Sequence, residues 1–78
     1  PVKDLSALIN LYMDKHFFDF VNEYRIEKAK EILKDPLQKE LTILEILYKV
    51  GFNSKSSFSS SFKKYTGKTP TDFRKDPN

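Results

Sequence analysis

The stretch Thr42–Pro70, TILEILYKVGFNSKSSFSSSFKKYTGKTP, has the pattern of two short helices joined by a tight turn. In residues 42–50, four apolar side chains recur at helical spacing, namely Ile43, Ile46, Leu47 and Val50. Thr42 and Glu45 have the spacing of a capping box, which predicts where this helix begins. Gly51 predicts where it ends, because glycine adopts the left-handed conformation after a helix without steric cost.

The second helix is expected over residues 54–65, with Asn53 or Ser54 as its N-cap. Six of the eight residues in 54–61 are serine, a composition typical of flexible linkers. The apolar stripe in the same segment, Phe58, Phe62 and Tyr65, instead favours a packed helix. Short hydroxyl side chains on an exposed helix can donate to phosphates or base edges. Helix, glycine turn and helix together are the layout of a helix-turn-helix.

The length of 78 residues limits the chain to one small domain, and the helical patterns predict that this domain is all-α. It has no cysteine, which excludes disulfides and thiolate metal sites. Nothing in it resembles a signal peptide or an apolar span of membrane length. These features predict a reduced, cytoplasmic setting and no membrane contact.

Charge is divided unevenly along the chain. Residues 1–48 carry seven basic and nine acidic side chains, whereas residues 49–78 carry seven basic side chains and two acidic ones. The basic second half indicates a polyanionic partner. A solvated basic surface without a partner is the alternative that charge alone leaves open.

The remaining elements follow from periodicity and helix-ending residues. A helix is expected over residues 1–13, followed by a short connection at His16-Phe17 and a longer helix over residues 18–34. Asp35-Pro36 ends this helix, since a residue before proline is disfavoured in the helical region. A last short helix is expected over residues 70–75. We expect four phenylalanines in the core: Phe20, Phe58, Phe62 and Phe73.

A faint internal repeat relates the two ends of the chain. Five residues are identical to those 53 positions later: Ser6, Tyr12, Lys15, Asp19 and Phe20. The repeat predicts that residues 1–13 form a second recognition helix, whose partner helix would lie upstream of Pro1.

The sequence resembles the C-terminal DNA-binding domain of AraC-type (AraC/XylS) transcription regulators along essentially its whole length. The motifs that carry the resemblance are ILYKVGF over residues 46–52, S-x-x-x-F-x-x-x-F-K-K-Y-T-G-K-T-P-x-x-F-R ending at Arg74, and the pair FVN and RIE-x-A over residues 20–29. The resemblance implies a tandem helix-turn-helix domain joined by a linker helix and lacking its first two helices. It also implies binding to two adjacent major-groove segments of double-stranded DNA.

The resemblance assigns base-facing positions residue by residue. They are Lys55, Ser56, Ser57 and Ser60 in the second unit, and Lys3, Ser6 and Ala7 in the first. Ser60 and Ala7 stand where arginine is common in the family, so weak readout of guanine is expected. The basic residues that follow are candidate phosphate contacts: Lys63, Lys64, Lys68, Arg74 and Lys75.

Enzymatic and metal chemistry are not expected. His16 is the only histidine and has no neighbouring cysteine or histidine at metal-ligand spacing. The serines have no nucleophile elbow or partnering base. No cofactor is predicted.

The alternative function is a helical module that docks on a signalling protein or on polymerase. For a DNA-binding domain of a transcription regulator, the partners expected besides DNA are RNA polymerase and an upstream effector or sensor domain. Without preceding helices, the apolar stripe of Leu5, Leu8 and Ile9 would be left bare, which predicts truncation-driven self-association.

Overall fold

Helices make up most of the chain and contain most of the candidate residues. The computed structural model describes the backbone of residues 2–76 and the side chains of residues 13, 14 and 16–76. Over this range it contains four α-helices, one short 3-10 helix and no strand. The helices are α1 (Val2–Lys34), α2 (Ile43–Val50), α3 (Lys55–Thr66) and α4 (Pro70–Lys75), and the 3-10 turn is Pro36–Gln38. The prediction of an all-α helix-turn-helix fold is confirmed.

The first helix is longer than expected. The predicted connection at His16-Phe17 is wrong, because α1 runs without interruption from Val2 to Lys34. The internal repeat gives a physical reason. Its offset pairs Asp14 with Gly67, which ends α3 at φ +77°, and pairs Phe17 with Pro70, which begins α4. Neither aspartate nor phenylalanine ends or starts a helix in this way, so α1 continues.

The caps of the helix-turn-helix follow the sequence closely. The Thr42 hydroxyl accepts from the Glu45 amide at 3.1 Å, and the Glu45 carboxylate accepts from the Thr42 amide at 3.4 Å, forming the predicted capping box. Gly51 ends α2 with φ +111°. Of the two predicted caps for α3, Ser54 is the one used, and its hydroxyl accepts from the Ser57 amide at 3.2 Å.

The core lies where α2 and α3 pack on the C-terminal half of α1. Its buried members are Ile26, Ala29, Leu33, Ile46, Leu47, Phe52, Phe58 and Phe62. Phe62 also contacts Phe73 of α4, with ring centroids 5.3 Å apart. Phe58 and Phe62 confirm the predicted inner face of α3, and Phe73 is partly buried against the same cluster.

Phe20 is not part of this core. Its side chain is 69% exposed, which makes the prediction of a buried Phe20 wrong. The helical repeat places Phe20 on the side of α1 opposite Ile26 and Leu33, the residues that meet α2 and α3. No other element among the described residues covers that side.

One polar contact fixes α3 against α1. The Tyr65 hydroxyl donates to the carbonyl oxygen of Asp19 at 3.2 Å. The aromatic stripe of α3 therefore ends in a hydrogen bond to the linker helix as well as in apolar packing.

Candidate nucleic-acid interface

The outer face of α3 carries the polar residues of the candidate site. Phe58 and Phe62 are fully buried, so the opposite side of the helix points away from the core. The structure brings the predicted base-facing residues of the second unit together on this exposed surface: Lys55, Ser56, Ser57 and Ser60. The arrangement presents small hydroxyl groups and one ammonium group on a capped, well-packed helix.

The predicted phosphate contacts Lys63, Lys64 and Lys68 are also exposed. The Lys64 ammonium lies 4.0 Å from a carboxylate oxygen of Asp19, and the Lys68 ammonium forms an ion pair with Asp76. An exposed pair such as Lys64–Asp19 contributes about 0–1 kcal/mol, so Lys64 can exchange its carboxylate partner for a phosphate at little cost.

A groove runs along one side of α3, between this helix and α1. We call it the Arg25 groove. It has a volume of about 560 Å³, and its lining includes Asn22, Arg25, Asn53, Ser56, Ser57 and Ser60. The Arg25 guanidinium lies with its Nη1 3.3 Å from the Asn22 Oδ1 and its central carbon 5.6 Å from the centre of the Phe52 ring. Polar groups therefore dominate this side of α3.

A second groove, which we call the lysine groove, lies on the other side of α3. It has a volume of about 440 Å³ and is lined by Ser59, Ser60, Lys63, Lys64 and Thr69. Ser60 borders both grooves. The exposed face of α3 is thus a ridge with one groove on either side.

Arg74 does not belong to this surface. Its guanidinium donates to the backbone carbonyl oxygens of Leu41 and Gln38, so it is an internal tie and the phosphate contact predicted for it is wrong. The side chains of Lys3, Ser6 and Ala7, predicted to face bases in the first unit, lie outside the described residues.

Metal-binding groups and membrane-spanning helices are absent from the part of the chain that the structure describes. No group of three or more histidine, cysteine or acidic residues in it is placed to hold a metal ion. None of its described helices combines the length and apolar character needed to cross a bilayer.

Comparison with known proteins identifies the kind of site. A family model described as a helix-turn-helix domain matches residues 2–76. The chain belongs to the AraC-type helix-turn-helix family. Family membership makes the chain a DNA-binding unit of the transcription-regulator type, and its relatives are named as regulators rather than enzymes.

Three relatives show how the similarity is distributed. The Msm operon regulatory protein of Streptococcus mutans is 36% identical, over 96% of this chain and 30% of that protein. An uncharacterized HTH-type transcriptional regulator from the cgkA 5′ region of Pseudoalteromonas carrageenovora is 45% identical, over 91% of this chain and 40% of that protein. The probable transcription factor PqrA of Proteus vulgaris is 33% identical, over 94% of this chain and 64% of that protein. The chain thus spans less than two thirds of each relative's length. No solved structure shows a significant match to it.

Sequence reasoning missed Asn22 and Arg25 as members of this AraC-type surface. Both lie in the linker-helix motif over residues 20–29, about 30 residues before α3. The available signal was helical phase, because Asn22, Arg25 and the buried Ile26 and Ala29 share one side of α1. That side packs on the helix-turn-helix, which brings Asn22 and Arg25 to the edge of α3.

Proposed function

We propose that α3 is the recognition helix of this chain and enters the major groove of double-stranded DNA. In helix-turn-helix units the N-terminal residues of the second helix contact base edges. The observation that carries the proposal is the exposed serine face of α3, which places Lys55, Ser56 and Ser57 in its first turn and Ser60 one turn later. Hydroxyl and ammonium groups donate to the base edges of the major groove.

Phosphate contacts position the helix in this proposal. Lys63, Lys64 and Lys68 follow the base-facing residues and add positive charge at the C-terminal end of α3 and just after it. In the first unit, Lys3, Ser6 and Ala7 stay predictions as base-facing residues of an adjacent major-groove segment.

Salt dependence of binding tests the proposal. With about four to six phosphates neutralised, log K against log salt should have a slope of roughly −4 to −5. A duplex selected by the chain from random DNA, titrated by fluorescence anisotropy, gives this slope directly. A slope near zero, or no retention even at low salt, would favour the interaction-module alternative, which the comparisons do not support.

A pair of serine variants separates recognition from folding. Ser56→Ala removes an exposed hydroxyl and should change preference at one base step with little effect on the melting curve. Ser54→Ala makes the same chemical change at the N-cap and should lower stability by about 0.5–2 kcal/mol while base preference is kept. Unfolding by Ser56→Ala, with binding by the folded remainder intact, would show that the wrong face of α3 has been assigned to DNA.

The side chains of Leu5, Leu8 and Ile9, on which self-association was predicted, lie outside the described residues. We propose that the chain self-associates through an exposed line of apolar side chains further along α1. This line, which we call the α1 seam, consists of Met13, Phe17, Phe20 and Tyr24, whose exposed fractions lie between 58% and 69%. The residues are spaced by four, three and four positions, which is the heptad spacing of a coiled-coil contact. Burying one large apolar side chain stabilises by about 1.5–3 kcal/mol, so the seam of a second copy is a favourable cover.

Sedimentation equilibrium tests this pairing. The unmodified chain should form dimers as its concentration rises, whereas Phe20→Glu should stay monomeric. Leu37→Glu is the matched control, because Leu37 is 91% exposed and lies away from the seam. A monomer at the highest concentration, or equal dimerisation of all three chains, would exclude the seam.

The broader setting stays a prediction. Contact with RNA polymerase and an upstream effector or sensor domain are expected from the family resemblance. Location in the cytoplasm is expected of a bacterial-type transcription regulator, which must reach DNA there.

A further inference from the structure

The diameter of α3 is close to the width of the major groove of DNA. An α-helix with its side chains is about 10–12 Å across, and the major groove of B-DNA is about 12 Å wide. A helix lying in that groove therefore has a sugar-phosphate strand on each side. The Arg25 groove lies between α3 and α1, the lysine groove lies between α3 and Thr69 at the start of α4, and Ser60 borders both.

The positive charges of the two grooves are carried by different helices. In the lysine groove the charges of Lys63 and Lys64 belong to α3 itself. In the Arg25 groove the charge comes from α1, through a half-buried arginine whose guanidinium lies against Phe52 and near the Asn22 amide oxygen. A guanidinium has five N–H donors in a planar fork, and this fork matches the geometry of a phosphate. Contact with Phe52 limits the orientations that the guanidinium can adopt.

We propose that Arg25 binds a backbone phosphate on one DNA strand while Lys63 binds a phosphate on the other. The recognition helix is then held from both walls of the major groove, and the linker helix takes part directly in DNA binding. This inference rests on the proposed function of α3. It assigns Arg25 a positioning role that is independent of base sequence, because phosphates are the same at every step.

Two glutamine variants and a control test the assignment on a duplex selected by the unmodified chain. Arg25→Gln should reduce the magnitude of the salt slope by about 0.9, the value for one phosphate contact, and weaken binding to all sequences alike. Lys63→Gln should do the same. Lys28→Gln is the matched control, since Lys28 lies one turn further along α1, is exposed and is directed toward Tyr24 and Glu31. It should leave the slope unchanged.

Neutral methylphosphonates placed singly along the duplex then locate the contacts. Substitutions that weaken binding by the unmodified chain but not by Arg25→Gln should fall on one strand. Those matched to Lys63→Gln should fall on the other strand, across the major groove. The scan with the unmodified chain alone can also exclude the proposal, because sensitive groups confined to one strand contradict it even if Arg25→Gln fails to fold.

Three results would overturn the inference. These are an unchanged salt slope in folded Arg25→Gln alongside a reduced slope in Lys63→Gln, sensitive phosphates confined to one strand, and an equal loss of slope in Lys28→Gln. None of these three results contradicts DNA binding by α3. Failure of the unmodified chain to show salt-dependent DNA binding would instead overturn the proposed function, and this inference with it.

Discussion

The Arg74 guanidinium donates from Nη1 to the carbonyl oxygen of Leu41 at 2.6 Å, and so ties the last helix to the residue just before the helix-turn-helix. Its Nη2 donates to the carbonyl oxygen of Gln38 at 3.3 Å. Both carbonyls belong to the segment between the 3-10 turn and α2, and the Gln38 carbonyl also accepts from the Leu41 amide at 3.1 Å. The arginine therefore fixes the entry of the chain into α2.

Arg74→Met should lower the free energy of unfolding by about 2–3 kcal/mol, because hydrogen bonds to a charged donor contribute about 1.5–3 kcal/mol each and the site is only half-buried. Urea denaturation measures the change. Lys75→Met removes the neighbouring, exposed charge and should shift stability by less than about 0.5 kcal/mol. Equal effects of the two variants would mean that the carbonyl contacts contribute nothing.

The two glycines provide a second prediction. Both have positive φ, +111° at Gly51 and +77° at Gly67, so alanine is strained at either position. A Cβ at Gly51 would also lie 2.9 Å from Arg25 Nε, whereas one at Gly67 would meet nothing within 4 Å. Gly51→Ala should cost about 1–2 kcal/mol and displace Arg25, and Gly51→Val should cost more because valine is β-branched.

Thermal melting and DNA titration of both variants separate the two effects. Gly67→Ala should lower stability and leave the salt slope of DNA binding intact. Gly51→Ala should lower stability and also reduce the slope, since Arg25 is moved. A normal slope in Gly51→Ala would show that Arg25 reaches DNA from its displaced position or has no role there.

The helix-turn-helix could be predicted from sequence because its determinants are local. Thr42 and Glu45 pair within one turn, Gly51 and Gly67 act on the residues beside them, and the Phe58–Phe62 spacing is a helical repeat. Each of these depends on residues fewer than five positions apart. Their combination fixes α2, α3 and the turn between them.

The features that sequence reasoning missed depend on contacts between distant segments or on comparison of the two repeats. Exposure of Phe20 follows from which side of α1 the other helices cover, and apolar character alone does not reveal it. The position of Arg25 beside Ser56 depends on how α1 crosses the turn at Gly51. The continuity of α1 becomes clear only when Asp14 and Phe17 are compared with their equivalents Gly67, which ends α3, and Pro70, which begins α4.

Acid sensitivity of the loop before α2 gives a third prediction. A hydrogen bond from the Gln38 side chain, at 2.7 Å, and another from the Leu37 amide hold the pKa of the Asp35 carboxyl below its ordinary value. The ionised form is therefore favoured in the folded state. Its contribution to stability is full above the unfolded-state pKa and is lost as pH falls through the lower, folded-state pKa.

Asp35→Asn should accordingly melt at a lower temperature than the unmodified chain at neutral pH, and this difference should shrink in strong acid. Calorimetry across the acid range measures both. Glu40→Gln, which removes an exposed carboxylate from the same loop, serves as the control. A difference for Asp35→Asn that stays constant with pH would indicate a packing effect in place of a titration.

The last prediction concerns why α1 is one helix. Asp14→Gly with Phe17→Pro introduces into the first repeat the residues that end α3 and begin α4 in the second. Proline inside a helix costs about 3 kcal/mol, so α1 should break between residues 13 and 18. Residues 2–13 alone are too short to be a stable helix in water, since isolated helices of about 12 residues are marginal.

The helical circular dichroism signal should fall by roughly a quarter, because about 15 helical residues precede the proline. The melting midpoint should stay nearly unchanged, because the core members that α1 supplies, Ile26, Ala29 and Leu33, follow the break. Asp14→Ala with Phe17→Ala, which lacks the helix-breaking residues, should keep the full signal. If the glycine–proline variant keeps it too, the repeat does not explain the continuity of α1.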